Sequence, residues 1–397
     1  MHLELNSAIK ISQDLLSNAI STDFAGYDPF DHLNSKLIKN TPLYKNELFR
    51  LAWLQLGKRS IINFRNIFCV PPMRNPKGIG VFILGLIQDY LRTGEYKFIE
   101  YSIKLADWLL EERSTRSQWK HSCWGYHFDW QARAFYVPAG KPNVISTCYI
   151  ARSLFELGQI TKIEKYTEAA LDSAYFISKN LYSEIDDRKF YAYIPGEQAF
   201  VHNANLWGAA WCIFAGLQLN DKNLVNQGMA AARQSVSEQA TDGSWVYGAR
   251  HHHQFIDGFH TGYNLEALHF IKRSSKTDEL DESIIKGYQF YVRNFIEEDG
   301  SVKYYSNNKY PLDMHSFAQA ILTLINVGGD ISDIRLCSKV IQSSISQLYI
   351  KEKSQFIYQK TRWVTNKINY TRWTQAWSYY SFAFYNRYCT ELYHAKN

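Results

Sequence analysis

Three histidines stand in related settings along the chain. His260 closes the run Asp257-Gly258-Phe259-His260, His315 closes Asp313-Met314-His315, and His202 opens His202-Asn203-Ala204-Asn205. Each falls at the head of a helical stretch low in charge, where a merely solvated residue would not be expected to recur. Histidine exchanges a proton near neutral pH, so its recurrence at this position points to general acid–base chemistry. Tyr263 follows His260 by three residues and shares its helix face, so the pair could supply a base and a phenolic acid. Asn203 and Asn205 could stabilise charge that develops on an intermediate. The carboxylates offer a second chemistry: two of Asp129, Asp257 and Asp313 could act as general acid and base, their pKa values split by unequal burial. Against it, Asp257 and Asp313, like Asn143, stand where helix caps are expected. Lys77 and Arg372 could hold a carboxylate or phosphate, Arg372 bidentately. His251-His252-His253 looks like a metal cluster, but adjacent loop residues cannot converge on one ion without strain. No metal or other cofactor is expected.

These residues need elements that bring them together, and the chain carries a weak repeat. Uncharged or apolar helical stretches recur at 78–91, 144–157, 206–219, 262–271, 316–325 and 374–385. Their starts are spaced by roughly 55 to 65 residues, the mark of a repeated supersecondary unit. Amphipathic segments alternate with them at 95–113, 162–180, 222–239, 279–295 and 331–348, with apolar residues at helical spacing on one face. Adding 44–57 as the first outer helix gives six hairpins, whose closed packing is an all-α (α/α)6 toroid. The expected organisation is one toroid domain over 39–397 with 1–38 as an N-terminal extension packed on it. Short aromatic runs at Trp124-Gly125-Tyr126, Phe190-Tyr191-Ala192-Tyr193, Trp245-Val246-Tyr247, Lys303-Tyr304-Tyr305 and Phe356-Ile357-Tyr358 suggest β-hairpins at one mouth. The inner helices should all start at that mouth, bringing unpaired N–H groups and partial positive charge to it. The faces of Trp124, Tyr126, Trp130, Trp245, Tyr247, Tyr305 and Trp373 would suit sugar rings there.

The chain has 397 residues, 46% hydrophobic and 16% aromatic, with a net charge of +6. So mild a charge, with no like-charged block, disfavours nucleic acid as a partner. Six cysteines lie far apart with no C-x-x-C spacing, which argues against structural zinc and a disulfide scaffold. The start of the chain lacks the apolar core of a signal peptide, and the longest uncharged run is shorter than the roughly 20 residues that span a bilayer. A cytoplasmic protein is expected. No G-x-S-x-G elbow, phosphate loop or G-x-G-x-x-G fingerprint is present, demoting serine hydrolases, nucleoside triphosphatases and dinucleotide enzymes.

The runs Asn75-Pro76-Lys77, Phe128-Asp129-Trp130-Gln131, Pro142-Asn143, His202-Asn203-Ala204-Asn205, Phe259-His260-Thr261-Gly262-Tyr263, Asp313-Met314-His315 and Arg372-Trp373 resemble the polysaccharide-biosynthesis proteins of bacterial capsule, exopolysaccharide and O-antigen gene clusters. Members are often mislabelled δ-aminolevulinic acid dehydratase; the Schiff-base lysine context and cysteine metal cluster of that enzyme are missing. The resemblance implies the six-hairpin toroid and a role in surface-glycan assembly, on a sugar or glycan that could be nucleotide- or lipid-linked. More distantly, the layout is similar to the N-acylglucosamine 2-epimerase and sugar isomerase superfamily, to six-hairpin glycosidases and to toroidal polysaccharide lyases. The His and Glu pairing of the epimerases and the acidic pair of the glycosidases are not reproduced. Three readings follow: an epimerase, isomerase or lyase; a glycoside hydrolase using paired aspartates; and a non-catalytic glycan-binding subunit.

Overall fold

The computed structural model describes residues 2–115, 117–131 and 136–396. In chain order its helices are α1 (His2–Ser21), α2 (Lys36–Lys39), α3 (Glu47–Arg59), α4 (Pro76–Thr93), α5 (Lys97–Glu111), α6 (Val144–Thr161), α7 (Glu164–Asn180), α8 (His202–Leu219), α9 (Lys222–Ser237), α10 (Gly258–Ser275), α11 (Asp281–Phe295), α12 (Met314–Thr323), α13 (Ile331–Leu348) and α14 (Trp377–Lys396). The even-numbered helices from α4 to α14 form the inner ring. Each packs on the next, and α14 packs back on α4, which closes an (α/α)6 toroid.

The inner helices are buried nearly all round, as their lack of charge requires; α4 buries every residue from Pro76 to Asp89. Small residues let them approach closely. A Cβ on Gly85 would lie 2.6 Å from the Tyr379 ring of α14, and one on Gly262 would lie 2.6 Å from Gln319 of α12. Their starts are set by side-chain caps: Asn75, Asn143, Asp257 and Asp313 each accept a backbone N–H from the first turn of α4, α6, α10 and α12. The outer helices bury a single stripe, as α5 does with Phe98, Ile99, Ser102, Leu105, Ala106 and Leu109.

The first outer helix is not where the sequence reading put it. A helix does form over most of 44–57 and two residues beyond, as α3, but it packs on the turns at Asp31–Asn34 and Pro42–Lys45 and on a strand at the mouth. It buries little, and Leu48 is 76% exposed. The outer position beside α14 is taken by α1, which also touches α13. The apolar stripe of α1, Ala8, Ile11, Leu15, Leu16 and Ala19, is buried there, and Ser12 Oγ accepts from Asn386 Nδ2 of α14 at 3.1 Å.

The aromatic runs form β-structure only in part. β1 (Trp130–Gln131) pairs with β2 (Tyr136–Val137), and β3 (Tyr182–Ile185) with β4 (Arg188–Tyr191). β5 (Leu312–Asp313), β8 (Gln359–Lys360) and β9 (Thr365–Asn366) make a three-stranded sheet, and β6 (Tyr349–Ile350) pairs with β7 (Gln355–Phe356). The runs at Trp124, Trp245 and Tyr304 contribute no strand; Gly125 and Tyr305 make isolated bridges to Pro142 and Asp257. Among the described residues no helix is long and apolar enough to cross a membrane.

Candidate active site

At the mouth where the inner helices begin lies a cavity of about 430 Å³. Helix phase decides which residues reach it. The second residue of every inner helical segment lines it: Lys77 of α4, Ile145 of α6, Asn203 of α8, Phe259 of α10, His315 of α12, and Arg372 in the π-helical turn Thr371–Ala376 that leads into α14. None of the residues just before them does. At 100° per residue, one position along a helix turns a side chain from the axis toward the outer layer.

On the floor, Tyr263 OH lies 2.8 Å from His315 Nε2 and 3.4 Å from Lys77 Nζ. All three are buried. Burial, with the nearby Arg372 charge, drives the Lys77 ammonium well below its ordinary pKa. The Tyr149, Tyr263 and Trp377 rings, 4.9, 5.3 and 5.3 Å from Nζ, partly offset this by favouring the cation. Burial and the neighbouring cations Lys77 and Arg372 also hold His315 neutral, well below the usual imidazole range. Burial pushes the Tyr263 phenol well above its usual value, so it stays protonated.

On the wall, Asp257 Oδ1 accepts the His260 backbone N–H at 2.9 Å while Oδ2 holds His260 Nδ1 at 2.7 Å. With Nδ1–H on the carboxylate, Nε2 is the basic nitrogen, as in other Asp–His pairs. His260 keeps 21% of its side chain exposed, and the Tyr247 ring lies 4.5 Å from it. Arg372 forms a buried bidentate pair with Asp28, Nε at 2.5 Å and Nη2 at 2.8 Å. Its guanidinium lies over Tyr126, at 5.1 Å, and Trp373, at 5.4 Å. Arg250 pairs with Glu197 at 2.5 Å.

The structure thus brings Lys77, Tyr126, Trp130, Asn203, Tyr247, Asp257, His260, Tyr263, Tyr305, His315, Arg372 and Trp373 to one cavity. It leaves seven candidate residues outside. His202, the first residue of α8, points to α9, where Nδ1 meets Ser235 Oγ at 3.1 Å; burial lowers its pKa to about 4. Asn205 is occupied by Tyr191 N, Ala231 O and Ser235 Oγ. Trp124 and Trp245 are core residues whose indole N–H groups donate to Leu109 O and Ser235 O. Asn143 caps α6. Asp129 is tied to Ala139 N at 2.8 Å, to Lys39 and to the Tyr44 hydroxyl. Asp313 accepts from His315 N, Gln359 Nε2 and Trp373 Nε1; burial raises its pKa to about 6, and it positions the Trp373 ring. Cavity residues that the sequence reading passed over include Phe30, Lys58, Phe128, Tyr193, Glu197 and Arg250. Glu197 lay open to discovery, since it precedes α8 in the same kind of loop as the others. His252 and His253 line the rim, and among the described residues no His, Cys, Asp and Glu group is arranged to hold a metal ion.

No protein-family model matches the chain, and no curated protein is significantly similar to it in sequence. Solved structures are similar in fold. An unsaturated glucuronyl hydrolase specific for heparin superposes with a TM-score of 0.66 over 99% of both chains at 11% identity. Cellobiose 2-epimerase from Bacillus thermoamylovorans gives 0.62 over 80% of this chain and 88% of that one, also at 11% identity. A D-mannose isomerase gives 0.56 over 80% and 87%, again at 11% identity. At such identities the likeness is one of fold: this chain is built on the six-hairpin toroid of these proteins.

Proposed function

We propose that this chain is a carbohydrate-active enzyme that moves protons at a sugar carbon, as an epimerase, isomerase or lyase. The observation that carries the reading is that two acid–base groups of different kind line one cavity: the Asp257–His260 pair on its wall and the Lys77–Tyr263–His315 chain on its floor. His260 Nε2 takes a proton from a carbon made acidic by an adjacent carbonyl or carboxylate, and Asp257 stabilises the imidazolium that forms. Lys77 and Asn203 stabilise the negative charge left on the substrate. Tyr263 returns a proton to the carbon, or to the leaving oxygen if a C–O bond breaks; the phenolate regains its proton from solvent, and the His260 imidazolium gives its proton up to solvent, when the product leaves. The names of the fold neighbours, a glycosidase, an epimerase and an isomerase, support a sugar as substrate. The resemblance to capsule and O-antigen cluster proteins supports a cytoplasmic biosynthetic role on a nucleotide- or lipid-linked precursor.

The paired-aspartate hydrolase loses ground. Each of Asp129, Asp257 and Asp313 accepts a backbone N–H, and only Asp257 lines the cavity. A purely binding subunit gives no reason to bury a Lys, a Tyr and a His in mutual contact, an arrangement costly to stability. The test is incubation with nucleotide-linked and free sugars in D₂O, followed by mass spectrometry and proton NMR. Deuterium at a sugar carbon, or a new unsaturated sugar, is expected, and should be lost in His260→Gln. New reducing ends without deuterium at carbon would instead establish a hydrolase.

A further inference from the structure

Four Lys and Arg side chains line the cavity among the described residues: Lys58, Lys77, Arg250 and Arg372. Two of them are already paired, Arg372 with both oxygens of Asp28 and Arg250 with Glu197. The bidentate fork that the sequence offers for a substrate acid group is therefore engaged within the protein. The two lysines differ. Neither is in an ion pair within 4 Å among the described residues; the carboxylates that favour their charge, Asp313 for Lys58 and Asp28 for Lys77, act without such contact. Lys77 has one acceptor, Tyr263 OH at 3.4 Å, and Lys58 Nζ rests on the Phe30 ring, 4.6 Å from its centroid. An ammonium carries three donors, and a partly dehydrated cation without a carboxylate partner is costly. Burial accordingly lowers both lysines from their ordinary range. Lys58 is delivered by the last turn of α3, the helix that is not part of the ring and packs at its mouth.

We propose that Lys58 forms an anion subsite in the cavity that also holds Lys77, and that the substrate sugar carries a carboxylate or a phosphate. α3 is on this view the element that delivers charge selectivity to the toroid. The inference rests on the cavity being a sugar site, as proposed above. The probes are glucuronate, glucose 1-phosphate and glucose, with binding to the full chain followed by saturation-transfer NMR and calorimetry.

At least one of the two anionic sugars should bind ten-fold or more tighter than glucose, and the better of the two tells carboxylate from phosphate. Lys58→Met, on a half-buried residue and checked by its melting temperature, should remove most of that preference by weakening the favoured anion far more than glucose. Lys58→Arg should retain it. Glucose binding as tightly as both anions, no saturable binding of either anion, or an equal loss for all three sugars in Lys58→Met would each overturn the subsite. The outcome separates from that of the proton-transfer reading. Anion preference without deuterium exchange keeps the subsite and removes the chemistry; exchange on a neutral sugar does the reverse.

Discussion

The Asp257 carboxylate has two tasks, capping α10 through one oxygen and orienting His260 through the other. They can be separated, because Asn caps a helix about as well as Asp but cannot hold an imidazolium by charge. In Asp257→Asn, kcat should fall by roughly 10²- to 10⁴-fold with the melting temperature nearly unchanged. Steady-state kinetics beside a thermal melt checks this, and a kcat within a few-fold of the parent would remove His260 as the base. The residue scale also shows what a single sequence conceals. His202, His260 and His315 look alike as heads of helices, yet they are the first, third and second residues of α8, α10 and α12. The second position of every inner segment turns to the axis, and in α10 the third does as well, so Asn203 reaches the cavity and His202 does not. The helix start is fixed by the cap, and where α8 lacks a side-chain cap the phase cannot be read to one residue. Arg372 illustrates another limit: its partner Asp28 is 344 positions away, and nothing local announces the pair.

At the scale of elements, the alternation of uncharged and amphipathic helices was legible because burial on all sides and on one side leave different patterns. What was not legible was which amphipathic helix closes the ring. Both 44–57 and the first twenty residues offer an apolar stripe, and the choice depends on ring closure between the two ends of the chain. The assignment has an energetic consequence. Leu15 of α1 is 2% exposed, so Leu15→Ala should cost about 2 to 5 kcal/mol. Leu48→Ala in α3 should stay within about 0.5 kcal/mol of the parent. Urea unfolding of the two variants decides between the helices, and equal losses would mean that α3 carries as much of the core as α1. Because α3 stands outside the ring, its last turn can serve the mouth.

For the molecule as a whole, burial of titratable groups around the toroid sets its response to acid. Burial lowers His32 to about 3 and His127, His202 and His253 to about 4, against about 6.5 in an unfolded chain. A depressed imidazole contributes stability that is fully present above pH 6.5 and lost as pH falls toward 4, because the unfolded state then binds the proton more readily. Asp31 and Asp313, raised by burial to about 7 and about 6, act in the opposite sense: the folded state prefers their neutral form, which gains stability as pH falls through the same window. The histidines outnumber them, so net stability should decline between pH 6.5 and 4.5. His202 isolates one share of the effect, being buried in the protein layer behind the cavity, with no substrate to contact. Asn can keep a hydrogen bond to Ser235 in place of Nδ1 but takes up no proton in this range. His202→Asn should therefore lose roughly 2 to 3 kcal/mol less than the parent between pH 6.5 and 4.5, whatever its stability at pH 7. Urea midpoints measured at both pH values test this, and parallel declines in variant and parent would show that His202 is not held neutral by the fold.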